Sequence, residues 1–252
     1  MALPSKRPWR PWVFGLGLIG SILIGLAAWA GLFDTDPVAT IAPQRAGLPR
    51  YRNTALIYLS GDVGLNIGLG QNLVRRLADD GFPVVTINSL AFFRRHRGIP
   101  EVAALIRSAV AQARAARPGA RVLLVGHSLG ADALQASLAT FTADERKGLG
   151  GAILIVPTRE VYLGISPAEM LDLGTPDATA LPSLRTLTWL PLGCIYGRDE
   201  TRSPCPVLAS RNVWTEALPG GHWLDGDVNS VHAAVLRGID RALAPANHAG
   251  FR

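Results

Sequence analysis

The chain has 252 residues, of which 48% are hydrophobic and 17% are charged, a composition that favours one folded domain and excludes extensive disorder. The net charge of +6 comes mainly from scattered arginines, which argues against a nucleic-acid-binding surface. Two cysteines without a histidine cluster argue against zinc, and no dinucleotide or phosphate-loop glycine motif is present, so we predict neither metal nor cofactor.

An uncharged apolar segment occupies residues 12–33, near the N-terminus. Three basic residues precede it within 1–11, and Asp34 and Asp36 follow it. About 20 apolar residues suffice to cross a bilayer, and the positive-inside rule places the basic side in the cytoplasm. The segment predicts a single-pass inner-membrane anchor. Because residues 28–30 form an A-x-A sequence, a cleaved signal peptide is the alternative, and either one places the folded part in the periplasm.

The remainder of the chain divides into a linker, a domain and a tail. Residues 34–50 contain three prolines without a periodic pattern and predict a linker, whereas 51–245 predict the folded domain and 246–252 a tail. Within the domain, short apolar segments alternate with segments of helical period, which predicts a mostly parallel sheet with helices on both faces. The predicted strands are 54–59, 84–87, 121–125, 152–156, 192–196 and 213–218; the predicted helices are 68–79, 101–116, 128–141 and 228–243; and residues 157–190 are irregular.

The pentapeptide GHSLG at 126–130 is a G-x-S-x-G motif. It directly follows a predicted strand and precedes a predicted helix, which is the setting of a nucleophile elbow. Ser128 is therefore the candidate nucleophile. An oxyanion hole requires two N–H groups near that serine. We expect them from Leu129, the next residue, and from Asp62 in the loop after the first strand of the domain.

The partners of Ser128 follow in the order acid and then histidine, as in α/β-hydrolases. His222 comes just after the last predicted strand, where it could act as the general base. Asp199 and Glu200 both follow the strand before it, and either carboxylate could orient the imidazole. We favour Glu200 because it lies three residues after Gly197, the more common spacing in this class of hydrolase.

Cys194 and Cys205 lie on either side of this acid loop, eleven positions apart. An exported domain matures in an oxidising compartment, so a disulfide between the two cysteines is expected. Closing such a loop would also restrain the segment that carries the candidate acid.

An arginine-rich loop, residues 89–97, follows the second predicted strand of the domain. Loops at the carboxyl ends of parallel strands border the ligand crevice. Arg94, Arg95 and Arg97 could therefore bind the phosphodiester of a lipid head group, since guanidinium groups match phosphate oxygens. The alternative is a solvated basic loop in which Phe92 or Phe93 packs into the core.

Several of these segments resemble the bacterial virulence proteins VirJ and AcvB. The matching stretches are LSGD at 59–62, SL and F within 89–93, VLLVGHSLGAD at 122–132, CIYGRDE with a following CP within 194–206, and PGGHWLDGD at 219–227. The resemblance implies an α/β-hydrolase fold, a periplasmic location, hydrolysis of aminoacylated phosphatidylglycerol such as the lysyl form, and support of type IV secretion. Departures from the family pattern, which bear on the substrate, occur at Val63, Leu65, Phe93 and His127.

Two classes of function compete on this sequence. The first is a serine ester hydrolase that acts on an aminoacyl lipid at the periplasmic face of the inner membrane, or more generally on soluble esters. The second is a non-catalytic periplasmic factor that binds secretion components or their substrates. The presence of both Ser128 and His222 favours the enzyme, because a binding module does not need both.

Overall fold

The computed structural model describes residues 10–170 and 173–244. A single seven-stranded sheet forms the centre of the fold, with strands in the order β1-β3-β2-β4-β5-β8-β9. All neighbouring strands are parallel except β1, which runs antiparallel to β3. The mostly parallel sheet predicted from the sequence is therefore confirmed. The strands of this sheet are β1 (Val38–Ile41), β2 (Thr54–Leu59), β3 (Val84–Ile87), β4 (Arg121–His127), β5 (Leu149–Ile155), β8 (Leu192–Gly197) and β9 (Val213–Leu218).

Helices cover both faces of the sheet, and each face has its own apolar core. Alternate residues of β2 divide between the two cores: Ile57 belongs to one, and Leu56 and Tyr58 belong to the other. This division follows from the period of two of a strand that is buried on both sides. The helices are α1 (Arg10–Trp29), α2 (Gly70–Asp79), α3 (Ser89–Phe93), α4 (Ile99–Ala116), α5 (Leu129–Leu138), α6 (Ala143–Arg146), α7 (Pro167–Met170), α8 (Ala180–Thr186) and α9 (Val228–Leu243).

The structure contains short elements that the sequence did not predict in three regions of the chain. The predicted linker at 34–50 contains β1, which extends the sheet beyond the predicted domain start. The arginine-rich loop begins as α3 rather than as coil. The irregular segment 157–190 contains α7, α8 and a two-stranded sheet of β6 (Glu160–Val161) and β7 (Ala178–Thr179). Each of these six elements is too short for a periodic pattern to identify it.

The N-terminal segment forms α1, and the residues that follow it contact the domain. Most of the large apolar side chains of α1 are more than half exposed, among them Phe14 and Trp29. Asn66 donates a hydrogen bond to the carbonyl oxygen of Trp29 at 2.7 Å, and Asn88 donates one to that of Ala30 at 3.3 Å.

The structure does not confirm the membrane-spanning segment predicted at 12–33. Over residues 10–170 and 173–244, no helix combines the length and the apolar character that crossing a bilayer requires. The basic residues before Arg10 and the predicted tail at 246–252 lie outside the described residues.

The predicted disulfide between Cys194 and Cys205 is present, with the two Cα atoms 5.5 Å apart. Both residues are buried, and the bond joins β8 to a short 3-10 turn at Cys205–Val207. The closed loop includes Glu200. The disulfide therefore restrains the segment that carries the candidate acid.

Removing the disulfide with the double substitution Cys194→Ala and Cys205→Ala is expected to lower the free energy of unfolding by about 3 kcal/mol, because the unfolded chain loses a cross-link. Urea denaturation of the oxidised protein and of the variant measures the difference. As a control, the free energies of unfolding of the two proteins should become nearly equal when both are measured in a reducing agent. Equal stability under oxidising conditions would contradict the prediction, and intact mass before and after alkylation checks the bond itself.

Candidate active site

Ser128 lies at the sharp turn between β4 and α5. Its backbone has φ of 52° and ψ of −122°, a conformation that side-chain-bearing residues rarely adopt. The turn also requires close packing, since a β-carbon added to Gly130 would lie 2.5 Å from the carbonyl oxygen of Leu59. The strained turn exposes the hydroxyl of Ser128 to a pocket at the carboxyl end of the sheet.

His222 and Glu200 complete a chain of hydrogen bonds that begins at Ser128. The Oγ atom of Ser128 lies 2.9 Å from Nε2 of His222, and Nδ1 of His222 lies 2.9 Å from Oε2 of Glu200. The Glu200 side chain is only 9% exposed. The neighbouring Asp199 is exposed, and its backbone N–H donates to the carbonyl oxygen of Gly220. Of the two candidate acids, Glu200 is the one that contacts the imidazole.

The loops that carry the acid and the histidine pack against each other through their backbones. A β-carbon added to Gly197, the last residue of β8, would lie 2.1 Å from the carbonyl oxygen of Gly221. Only glycine permits this approach. It places the acid loop beside the residue that precedes His222 and so sets the distance between Glu200 and the imidazole.

The two predicted oxyanion donors both border the pocket of Ser128. Leu129 is the first residue of α5, so its N–H lies at the positive end of that helix. Asp62 belongs to a loop that packs on the elbow, with the β-carbon position of Gly61 3.4 Å from Cβ of Ser128. In the described part of the chain, neither N–H donates to a backbone carbonyl. Both groups are therefore available to an oxygen atom in the pocket.

The pocket has a volume of about 190 Å³ and an acidic lining. Besides His222, its ionisable acidic and basic side chains are Asp62, Asp132, Glu160, Glu169 and Arg202. Four carboxylates against one guanidinium favour a ligand with positive charge.

Three of these carboxylates have partners within the protein: Asp62, which accepts from the N–H of the next residue at 3.1 Å, Asp132 and Glu169. Asp132 is buried and accepts hydrogen bonds from the N–H and the hydroxyl of Thr158, at 2.8 and 2.7 Å. Glu169 accepts from the N–H of Ser166 and contacts Nδ1 of His96 at 3.2 Å. Partial burial raises the pKa of Glu169, but its hydrogen bonds to Ser166 and its contacts with His96 outweigh burial and lower the pKa overall. Glu169 is therefore charged at neutral pH.

His127, the residue before the nucleophile, is held neutral. Burial lowers its pKa to about 4, and the neighbouring charge of His222 contributes in the same direction. Its Nδ1 lies 3.4 Å from the hydroxyl of the buried Tyr58. His127 therefore adds no charge next to Ser128 near pH 7.

The structure does not bring the predicted phosphate-binding arginines to the pocket of Ser128, since none of them lines it. Arg94 donates instead to the carbonyl oxygens of Leu32 and Asp34, at 3.1 and 3.2 Å. Arg97 pairs with Glu101 at 2.9 Å. Arg95 is exposed.

The two phenylalanines of the same loop pack as expected for the alternative prediction, in which the basic residues are solvated and one phenylalanine lies in the core. Phe93 is buried in the core, whereas Phe92 is partly buried and lies beneath the guanidinium of Arg97. The structure thus agrees with a solvated basic loop that has an aromatic residue in the core.

Sequence reasoning missed Glu160 and Glu169 as pocket residues. Both lie in the segment 157–190, which showed no periodic pattern. The one available signal was position, because this segment follows β5 at the carboxyl end of the sheet, where ligand crevices form.

The sheet order, the elbow and the histidine loop define an α/β-hydrolase fold. The fold is similar to that of an alpha-beta serine hydrolase homologue from Coxiella burnetii, with a TM-score of 0.56 and 14% identity over 80% of this chain and 90% of that one. It is also similar to an esterase domain from Rhodothermus marinus, with a TM-score of 0.53 and 15% identity over 81% and 98% of the two chains. An a/b serine hydrolase without lid from Xanthomonas campestris gives a TM-score of 0.51 and 17% identity over 82% and 89%.

The family follows from the sequence itself. Residues 53–243 match the model of the bacterial virulence protein VirJ, so the chain belongs to the VirJ family. None of the curated proteins matches the sequence.

Proposed function

We propose that this protein is an exported serine ester hydrolase that uses Ser128, His222 and Glu200. The observation that carries the proposal is the continuous chain of hydrogen bonds from Ser128 through His222 to Glu200, with both distances at 2.9 Å. A serine hydroxyl is a weak nucleophile until a neighbouring base accepts its proton. A purely accessory protein has no use for such an arrangement at the edge of a pocket.

In the first half of the reaction, Nε2 of His222 accepts the proton of the Ser128 hydroxyl as Oγ attacks the ester carbonyl. The negative charge that forms on the carbonyl oxygen is stabilised by the N–H groups of Leu129 and Asp62. Glu200 fixes the tautomer of the imidazole and stabilises the imidazolium. Collapse of the intermediate breaks the ester C–O bond, and His222 donates its proton to the departing alcohol.

In the second half, a water molecule replaces the alcohol. His222 accepts a proton from this water as it attacks the acyl-serine, and then returns that proton to Oγ of Ser128. The products are the alcohol and the carboxylic acid, and the enzyme is regenerated.

We further propose that the substrate is an aminoacyl ester of phosphatidylglycerol, as the VirJ family suggests. The acidic lining of the pocket supports this choice, because an aminoacyl group carries an ammonium close to the ester carbonyl. Glu160 is the exposed carboxylate of the lining and is our candidate partner for that ammonium.

We place the domain in the periplasm, which agrees with the disulfide and with the family. The exposed apolar side chains of α1 support attachment to the inner membrane or a role of this segment as a signal sequence. Either arrangement would bring the enzyme to a lipid substrate in that compartment.

The substrate proposal is tested by two lipids that differ at the amino group, the cationic alanyl-phosphatidylglycerol and its N-acetylated form, in which the ammonium charge is removed. Glu160→Gln is expected to lower kcat/KM for the alanyl lipid by about fivefold, since an exposed charge pair contributes about 1 kcal/mol. Activity on the N-acetyl lipid should change little. Mass spectrometry of the released alanine or N-acetylalanine measures the activity on each lipid.

The matched control is Glu216→Gln, which removes a carboxylate that pairs with Arg237 and does not line the pocket. It should leave both activities near the native level. Equal losses on the two lipids in the Glu160 variant would show that Glu160 does not recognise charge. A native protein that cleaves neither these lipids nor any simple ester would rule out the enzyme.

A further inference from the structure

A second pocket adjoins the candidate active site and differs from it in chemistry. Its volume is about 240 Å³, whereas one water molecule needs only roughly 10–15 Å³. Its lining contains two polar side chains, Asn72 and His127, and His127 is neutral near pH 7. The apolar side chains that line it are Val63, Ile67, Leu69, Trp223 and Val228. We call this set of residues the apolar pocket.

The apolar pocket adjoins the pocket of Ser128. Trp223 borders both, and its side chain is among the most exposed large apolar groups of the domain. Val63 directly follows the oxyanion candidate Asp62, and His127 directly precedes Ser128. A molecule held at Ser128 therefore lies close to residues of both pockets.

An apolar cavity beside a nucleophile favours an apolar ligand, because water there gains few hydrogen bonds. A hydrocarbon chain that is part of the substrate is such a ligand. The acidic lining already accounts for the charged acyl part of the ester. The chain therefore belongs to the alcohol part, on the far side of the scissile bond.

We propose that the apolar pocket binds a hydrocarbon chain on the alcohol side of the ester. The inference rests on the proposed ester hydrolase activity. It adds to that activity a binding site, formed by Ile67, Trp223 and Val228, that favours esters whose alcohol part carries a hydrocarbon chain.

The test uses alanine esters of methanol, butanol, hexanol and octanol, all below their critical micelle concentrations. The native protein is expected to show a kcat/KM that rises with chain length, by up to about fourfold for each buried methylene, until the pocket is full. Val228→Trp fills the pocket and should lower the ratio of octyl to methyl ester activity by at least tenfold. Ile67→Trp, at another position in the lining of the pocket, should lower this ratio as well.

Val207→Trp is the matched control, because Val207 is exposed and lines neither pocket. Its octyl-to-methyl ratio should equal the native ratio. A native ratio near one, or the same ratio in the native protein and both filled variants, would overturn the inference.

Binding of 1-octanol, measured by calorimetry, separates this inference from the proposed reaction. The native protein should bind 1-octanol at least tenfold more tightly than Val228→Trp does. If the alcohol binds in this way but no ester is cleaved, the pocket stands and the hydrolase proposal fails. If esters are cleaved but the native protein and the variant bind 1-octanol equally, the hydrolase stands and the pocket inference fails.

Discussion

Replacing Ser128 with Ala is expected to lower the kcat for ester hydrolysis by a factor on the order of 10⁴–10⁶. The substitution removes the atom that forms the acyl-enzyme and leaves His222 without its 2.9 Å hydrogen-bond partner. Only the activity that arises from substrate binding and the oxyanion donors should remain. Turnover of a simple ester by the purified variant measures the loss, and circular dichroism checks that the fold is retained.

Ser137→Ala provides a matched control on the same helix, α5. Ser137 is buried, and its hydroxyl has no hydrogen-bond partner within the described ranges, so the protein should lose neither activity nor stability. His222→Ala should be about as inactive as Ser128→Ala, and the double variant should be little worse than either one, because the two residues act as a unit. Native turnover in Ser128→Ala would disprove the assignment of the nucleophile.

Replacing Glu200 with Gln is expected to reduce kcat by up to about 10⁴-fold. The carboxylate accepts a hydrogen bond from Nδ1 of His222 at 2.9 Å and so leaves Nε2 free to accept the proton of Ser128. A glutamine amide can donate to Nδ1 instead, which stabilises the wrong tautomer and no longer balances the charge of the imidazolium. A full pH profile of kcat for native protein and variant measures the effect.

Asp199→Asn is the control for this experiment, because it makes the same chemical change one residue away. The side chain of Asp199 is exposed, and its backbone N–H, which the substitution leaves in place, makes the hydrogen bond to Gly220. The control should retain activity close to the native level. A larger loss in Asp199→Asn than in Glu200→Gln would reverse the assignment of the acid.

The sequence predicted the sheet and its main helices because their signals are local. The continuous apolar runs and the helical period predict segments such as β2 and α9 to the residue. The nucleophile elbow is likewise a local motif, in which close backbone packing demands glycine. The spacing from Gly197 favoured Glu200 over Asp199, and the path of the backbone shows why: neighbouring residues in a turn point in different directions, and the side chain of Glu200 is the one that reaches His222.

Contacts between distant parts of the chain were beyond sequence reasoning. Arg94 donates to the backbone of Leu32, 62 positions earlier, and nothing in either segment predicts that pairing. The carboxylate of Glu160 reaches the pocket because β6 pairs with β7, and each of these strands has only two residues. Such contacts depend on how the elements pack together, which a single sequence does not encode in any repeating pattern.

The close approaches at Gly130 and Gly197 limit how this protein can change over evolutionary time. A side chain at either position would collide with a main-chain oxygen, of Leu59 in one case and of Gly221 in the other. A clash with a side chain can be relieved by a compensating mutation at a second site, but no substitution removes a carbonyl oxygen. Both glycines should therefore persist in any descendant that keeps this fold, including one that has lost Ser128 and with it the reaction.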